Sequence, residues 1–356
     1  MYTRPVSDSP EHLIKNGKPL FGTYRGHTER LDIRGVKYPY GTFPLPTFIT
    51  NLRIKSRLSY FFSVGEYIGC LDIFDAKVIG FAEVCFWNTQ TKQRFVYRSL
   101  MGLRKRLVPH KLTTAATVCY KKSRYIRINW DRENDRLSII FSLKGDAHRP
   151  SSRAALLSHF SAMPNSELLC VTPSPTMRRC SASYVTALPL HGAVTVQGAK
   201  EAPHTMPDAD GFAFFEINRV YMRFKSHGEF LTAFGTSAEG RSVQFRIAAS
   251  SQDAVDPDKY NSNVLFCDGE ATPLPPVVIT HPYGIMNEWI IQDTENMVDL
   301  TFTPVSENLN KISVFVLRTQ YHTIYGTLEG VLRNSKGEKI SLKNFPGLIK
   351  KYLIRL

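Results

Sequence analysis

Short runs of apolar and polar residues, bounded by turn residues, follow one another along most of the chain. Arg57–Val64, Glu66–Phe74, Val78–Trp87, Arg94–Leu100, Thr113–Tyr120, Tyr125–Trp130 and Leu137–Leu143 all read as strands. Asn88–Thr91 and the polar cluster Asp131–Asp135 supply turns between them. Ser151–Phe160 reads as a strand or a short helix, and Glu167–Thr172, Ala182–Leu188 and Gly192–Gln197 as further strands. Ala199–Gly211, with two prolines and two aspartates, reads as a linker. Beyond it the style repeats: Phe212–Ile217, Arg219–Phe224, Glu229–Gly235, Val243–Ala249, Val264–Cys267, Val277–Ile279, Glu288–Gln292, Met297–Thr303, Ile312–Arg318, Thr323–Leu332 and Lys339–Leu342.

In Val298–Thr303, residues 298, 300 and 302 share an apolar face and Asp299, Thr301 and Thr303 the other. Ile312–Leu317 is apolar on both faces, which predicts cover from two sides. Gly326 and Gly330 inside a strand pattern predict a bend or a close approach by another backbone. Helical periods do not alternate with the strands, so a parallel βαβ sheet is disfavoured. The predicted fold is all-β: two antiparallel barrels packed together, with few short helices. The predicted organisation is an extended arm over 1–50, a basic barrel over 51–198 and a second barrel over 199–356.

Length and composition agree with this picture. A chain of 356 residues, 43% hydrophobic, 21% charged and 12% aromatic, can bury full cores without disulfides or metal. No apolar run nears the roughly 18 residues of a membrane span. The segment 1–20 lacks the apolar stretch of a secretory signal, so a cytoplasmic location is expected. Six scattered cysteines without a Cys-x-x-Cys pair read as free thiols, with Cys170–Cys180 the alternative disulfide.

Charge is uneven. The net charge is +14, yet residues 92–149 hold fifteen Lys/Arg against four Asp/Glu, while residues 261–310 hold seven acids and no Lys or Arg. Arg104, Lys105, Arg106, Lys121 and Lys122 stand in the basic stretch. A solvated outer sheet face explains them, and so does contact with anionic lipid head groups or an acidic ligand. Nucleic acid is disfavoured because no recognition motif accompanies the charge.

Catalytic motifs are scarce. There is no G-x-G-x-x-G after a strand and no P-loop, so no nucleotide cofactor is expected. Gly235–Gly240 misses a nucleophile elbow by one residue, which leaves Ser237 a turn serine. The ten histidines are isolated, and no metal is expected. What remains is His322, Glu329 on the face of Tyr325 and Thr327, and Trp289 in an acid-rich segment. In a barrel lumen they would form a polar handle suited to acid–base chemistry; a core tryptophan among surface polar residues is the alternative.

Several blocks resemble one known family. Val298–Pro304 resembles its VDLTFTP block, Glu288–Ile291 its PW-x-I element without the proline, and Tyr321–Gly330 its HQ-x-FG-x-x-x-G strand. Asn261 with Cys267-Asp268-Gly269, and Ser166-Glu167-Leu168 with Leu188–Gly192, match two more. This is the family catalogued as domain of unknown function 2804, grouped with the calycins near carotenoid hydratases, AttH-like proteins and tocopherol cyclases. The resemblance implies two lipocalin-like barrels and relatives that bind or transform apolar small molecules. Three segments depart from the family pattern. Of D-x-G-R-G only Arg219 survives within Glu216–Val220, W-x-W becomes Phe230–Phe234, and the carboxylate of G-x-x-E becomes Lys350.

The expected function is therefore binding of an apolar or amphipathic small molecule, lipid or isoprenoid-like, in a barrel or between barrels. Candidate ligand contacts are Trp289, Tyr325, Arg219 and His322. The alternative is a hydratase, cyclase or isomerase using Glu329, His322 or Asp299 as acid or base, and a third reading is docking of the basic half to an anionic membrane.

Overall fold

The computed structural model describes residues 2–41, 45–77, 79–102, 107–147, 149–198, 207–314 and 317–355, without the side chains of Val314 and Leu317. Arg104, Lys105 and Arg106 lie outside these residues, as does most of the segment read as a linker.

Four short strands come first: β1 (Val6–Asp8), β2 (Ile14–Lys15), β3 (Lys18–Pro19) and β4 (Gly22–Arg25). The helix α1 (Thr47–Leu52) precedes the long meander. That meander comprises β5 (Ile54–Val64), β6 (Tyr67–Asp75), β7 (Gly80–Asn88), β8 (Arg94–Met101), β9 (Thr114–Lys121), β10 (Arg124–Asp131), β11 (Arg136–Leu143) and β12 (Ser151–Ser158). β13 (Glu167–Pro173), β14 (Cys180–Gln197) and β15 (Ala209–Tyr221) complete the first sheet. Its order is β8-β7-β6-β5-β15-β14-β12-β11-β10-β9, curled into a nearly closed barrel. The 18-residue β14 also carries β13 along its first half, and β13 pairs with β4.

The second sheet holds β16 (Lys225–Thr236), β17 (Ser242–Ser250), β18 (Val264–Cys267), β19 (Glu270–Pro273), β20 (Val278–Thr280), β21 (Trp289–Gln292), β22 (Val298–Val314), β23 (Leu317–Arg333) and β24 (Lys339–Arg355). Its order is β19-β18-β17-β16-β24-β23-β22-β21-β20, a half-barrel packed on the first sheet. The all-β, two-barrel architecture is as the sequence predicts.

Several predicted strands are longer or merged. Ala182–Leu188 and Gly192–Gln197 are one strand, continuous through Gly192 at a φ of 147°. Phe212–Ile217 and Arg219–Phe224 merge into β15, and the last strand runs on to Arg355. The N-terminal arm is partly structured, placing β4 against β13 and burying Leu31 and Ile33 in the first core. Of the doubly apolar run 312–317, Ile312 is half-buried near the end of β22 and the rest falls largely outside the described side chains. All six cysteines are buried thiols rather than disulfides. The turn at Asp131–Asp135 joins β10 to β11 as predicted, with Asp135 at a φ of 50° and the Asp131 carboxylate accepting from the Asn134 main-chain N–H.

Alternation along the strands fills the first barrel with rings. Phe86 points inward, with ring centroids 5.0 Å from Phe95, 6.2 Å from Phe141, 6.4 Å from Phe62 and 6.4 Å from Tyr97. The expected greasy lumen is thus occupied by the barrel's own side chains. Aromatic residues supply enough volume to close the interior to native density.

One end of this barrel is stopped by Arg219. It shares the inward face with Phe215, Ile217 and Tyr221, and is fully buried. Its guanidinium donates to Ser56 Oγ (2.7 Å) and to the carbonyls of Val108 (2.9 Å) and Pro109 (2.7 Å). Burial, reinforced by Arg219, holds nearby His110 down to about 4. A folded value below the unfolded 6.5 means that the unfolded chain binds the extra proton between the two. Stability should therefore fall as pH drops from about 6.5 to about 4, by up to about 3 kcal/mol. His110→Gln should flatten that limb in urea titrations run across this range.

Candidate functional site

Where the two sheets face each other they leave a cleft of about 120 Å³. Its floor is the outer surface of the first sheet. Cross-strand register lines up Cys170, Ser183, Asn218, Arg57 and Phe74 in one row from β13 to β6. A second row runs Thr172, Ser181, Val220, Lys55. The parity that sends Phe215, Ile217 and Arg219 inward turns Glu216, Asn218 and Val220 out to this floor.

The roof comes from the second sheet. Tyr352 sits between Gly228 and Tyr321 in register, and Phe230 follows one step along β16. The rings form a continuous stack. Phe230 and Tyr352 lie 5.3 Å apart and 10° from parallel, Tyr352 and Tyr321 6.2 Å apart, and Tyr321 meets Phe74 of the floor edge-on at 6.5 Å. Two cations flank the stack: the Arg57 guanidinium 6.0 Å from the Tyr321 ring and that of Arg246 5.1 Å from Phe230. Gly228 makes room for the stack, since a Cβ there would stand 2.8 Å from the Tyr352 ring and 2.5 Å from Ser250 Cβ. Gly228→Ala should displace Tyr352 from Phe230 and cost about 1–3 kcal/mol, read by chemical denaturation.

Both arginines are held from behind by buried carboxylates. Arg57 reaches Asp72 at 2.9 Å, Ser59 Oγ donates to the same oxygen at 2.6 Å, and Lys350 from the second sheet bonds the other oxygen. Burial alone would raise the Asp72 carboxyl, but Arg57 and Lys350 override it and hold it well below the usual range. The neighbouring Cys70 thiol, 3.8 Å away, is pushed by burial up to about 12. On the other side Arg246 pairs with Glu216 at 2.6 Å, and Asn218 donates to that carboxylate. Asp253, at the rim, is engaged with the Ser250 amide at 2.6 Å and hydroxyl at 2.8 Å.

Among the described residues, two buried polar atoms of the cleft lining, Ser183 Oγ and Gln252 Nε2, have neither a hydrogen-bond nor an ion-pair partner. Leaving such an atom unpaired costs about 1–3 kcal/mol, so it marks a place for water or a bound molecule.

The residues singled out from the sequence are distributed differently. Trp289 is buried inside the half-barrel, donating to the Ile285 carbonyl at 2.9 Å. His322 lies on the same concave side, its Nδ1 bonded to Glu307 and its cross-strand neighbour Lys351 bonded to Glu229 (2.8 Å) and His281 (2.8 Å). His281 in turn packs 4.1 Å from Trp289. Tyr325 is buried where the barrels touch, 5.8 Å from Trp87. Asp299 and Glu329 are exposed on the outer face of the second sheet, away from the cleft, and Asp299 accepts from Gln292 at 2.9 Å. The lumen handle expected of Glu329 is therefore not formed. Lys121 and Lys122 are exposed at the β9–β10 turn. Ser237 occupies the β16–β17 turn, as expected. No helix among the described residues is long and apolar enough to cross a membrane.

Sequence reasoning did not single out Arg57, Asn218, Arg246, Tyr321 or Tyr352. A signal existed nonetheless: the three segments that depart from the family pattern contribute Asn218, Phe230 and Lys350 to the cleft or its backing.

Fold and cleft together define an all-β protein of two packed barrel-type sheets with a ring-lined crevice between them. The chain belongs to the family described as domain of unknown function DUF2804, whose profile matches residues 4–355. No curated protein matches the sequence. Among solved structures it is similar to kievitone hydratase from Nectria haematococca at 8% identity, over 83% of this chain and 88% of that one, with a TM-score of 0.45. CghA with Sch210972 aligns at 10% identity over 84% and 88%, TM-score 0.42. A Nitrosomonas europaea protein provisionally assigned as an AttH aligns at 10% identity over 89% and 98%, TM-score 0.49.

Proposed function

We propose that the cleft between the two sheets binds an amphipathic small molecule, a ring system carrying at least one hydrogen-bonding oxygen. One observation carries this reading. A stack of three rings faces a cross-strand row of polar side chains in which Ser183 Oγ, with Gln252 Nε2 nearby, is buried and unpartnered. Rings favour offset-stacked or edge-on partners, and the arginines beside them favour electron-rich oxygen. Wholly apolar ligands suit the cleft less well than amphipathic ones, because Ser181, Ser183, Asn218 and Arg57 stand in the floor among Cys170, Val220 and Phe74. Holding a ligand also suits the charges better than proton transfer does. Asp72, Glu216 and Asp253 are all committed to protein partners.

The aromatic anion 1-anilinonaphthalene-8-sulfonate matches this chemistry and tests it. Saturable binding of one dye per chain is expected, with Tyr352→Ala weakening it by about tenfold, the equivalent of one stacked ring pair. Glu329→Gln and Asp299→Asn should leave it unchanged. Equal dye affinity in a folded Tyr352→Ala variant would overturn the assignment. Native mass spectrometry of protein purified from its own cells would then identify the natural occupant.

A further inference from the structure

A surface helix normally lays its apolar stripe on the core. α1 does the reverse. Its buried residue is Thr50, whose hydroxyl donates to the Thr47 carbonyl at 3.0 Å, while Phe48, Ile49 and Leu52 share the solvent face. Phe48 is 68% exposed, and Leu45, just ahead of the helix, is exposed as well. Phe224, in the connection between β15 and β16, adds a further exposed ring.

Cations surround these side chains. The Arg53 guanidinium donates to the Met222 carbonyl at 3.0 Å and lies 5.8 Å from the Tyr40 ring, and that of Arg179 lies 5.4 Å from the same ring. Burial, with repulsion from Arg223 and Arg53, lowers the pKa of Arg179, a sign of three guanidiniums crowded together. Lys225 and Arg355 pair in register, and the Arg355 guanidinium is 5.5 Å from the Phe224 ring. The segments that meet here, residues 38–57, 174–181, 217–228 and 345–356, hold no Asp or Glu. Asp253, two residues from the Ser251 carbonyl that accepts from Arg223 (3.3 Å), is spent on the Ser250 amide and hydroxyl. An apolar knob within an acid-free ring of cations complements an interface that is anionic outside and apolar beneath.

We propose that α1 and the Phe224 connection dock this end of the molecule on an anionic lipid bilayer. Phe48, Leu52 and Phe224 enter the acyl boundary, and the arginines meet the head groups. This is not the basic surface expected from the sequence. Register links the Lys121–Lys122 turn through Arg124, Leu143 and Ser152 to Val196 late in β14, whereas the patch joins the first residues of β14 through Lys55, Val220 and Ser181. The two basic surfaces therefore lie at opposite ends of the first barrel. Lys55, whose Nζ bonds the Leu52 carbonyl at 2.9 Å, lines the cleft together with Met222 and Ile354. Docking thus sets one end of the cleft against the bilayer, where amphipathic molecules collect. That consequence rests on the cleft being a ligand site; the docking itself does not.

Vesicle flotation of the full chain tests the proposal. Phosphatidylcholine vesicles containing about a third phosphatidylserine should carry the protein at least about tenfold better than phosphatidylcholine alone, and raising salt from about 0.1 M to about 0.5 M should remove most of that difference. Phe48→Ser with Leu52→Ser keeps every charge and should weaken partitioning by about tenfold. Arg223→Glu with Lys225→Glu should weaken it at least as much, whereas Lys121→Glu with Lys122→Glu, many Debye lengths away, should change it by less than about twofold. All these side chains are exposed, so each variant should unfold at the wild-type temperature. Equal flotation on the two lipids, or undiminished flotation of the folded Phe48→Ser, Leu52→Ser variant, overturns the proposal. So does a dimer in vesicle-free sedimentation that this variant dissolves while wild type ignores vesicles, which assigns the patch to a second copy. Wild type that binds the dye at Tyr352 yet does not float loses only the docking; one that floats yet binds no dye there loses only the cleft.

Discussion

Asp72→Asn should lower unfolding free energy by about 3–5 kcal/mol, the largest loss expected from a single polar substitution in this chain. The carboxylate is buried between the sheets and neutralises two cations, Arg57 from its own sheet and Lys350 from the other. Lys350 is itself buried, with its ammonium 4.4 Å from the Phe61 ring centroid. Asparagine keeps the shape but leaves both positive charges uncompensated, and an unpaired buried charge costs far more than a lost surface pair. Adding Lys350→Met should recover part of the loss, because the second cation goes with it. The pH dependence has a definite sign. A carboxyl held below its unfolded value contributes fully above that value, about 3.9, and loses its contribution only in stronger acid. The gap between wild type and Asp72→Asn in urea titrations should therefore be constant from neutral pH to about 4 and narrow below it. A loss under about 1 kcal/mol at pH 7 would mean that the charges are hydrated in solution and the sheets are not clamped there.

What the sequence could reveal is clearest in β22. Val298, Leu300 and Phe302 alternate with Asp299, Thr301 and Thr303, and the structure buries the first three and turns Asp299 and Thr303 outward. Gly326 and Gly330 in β23 also sit where close approach was predicted. A Cβ would fall 2.3 Å from the Thr303 carbonyl oxygen in one case and 2.1 Å from that of Asp299 in the other, and register shifts flank both. Such features are local, so period and residue type reveal them. The site is not local. Lys55, Arg57, Asn218 and Ser183 look like ordinary outward-facing strand residues, and period two says only that they leave the first core. Which outward face meets another sheet depends on how two whole sheets dock. The same limit explains Arg219. Its chemistry suggested a ligand contact, while its parity with Phe215 and Ile217 was already visible and places it in the barrel. It explains Glu329 in reverse, since an acid beside bent glycines looks functional, yet alternation sets it opposite the core residues Leu328 and Leu332, and the docking of the sheets leaves that end of the outer face in solvent.

Phe86→Ala tests the remaining premise, that the first barrel is a packed core rather than a container. Phe86 is fully buried and its ring meets those of Phe62, Tyr67, Phe95, Tyr97 and Phe141 within 6.4 Å. Truncation removes the ring's transfer energy and leaves a void that β-strands held on both sides cannot collapse into, so a loss of about 3–5 kcal/mol is expected. Such an apolar void should stay dry and take up xenon or benzene, which partly restores stability by binding only the folded state. Binding of anilinonaphthalene sulfonate should not change, because Phe86 and the cleft lie on opposite faces of the first sheet. The two readouts separate the barrel from the cleft. If the wild-type barrel already held a natural ligand chamber, benzene would stabilise wild type as much as Phe86→Ala, and the variant would lose little. If Phe86 is core, only the variant gains a guest site, and the first barrel is excluded as the place where the proposed ligand binds.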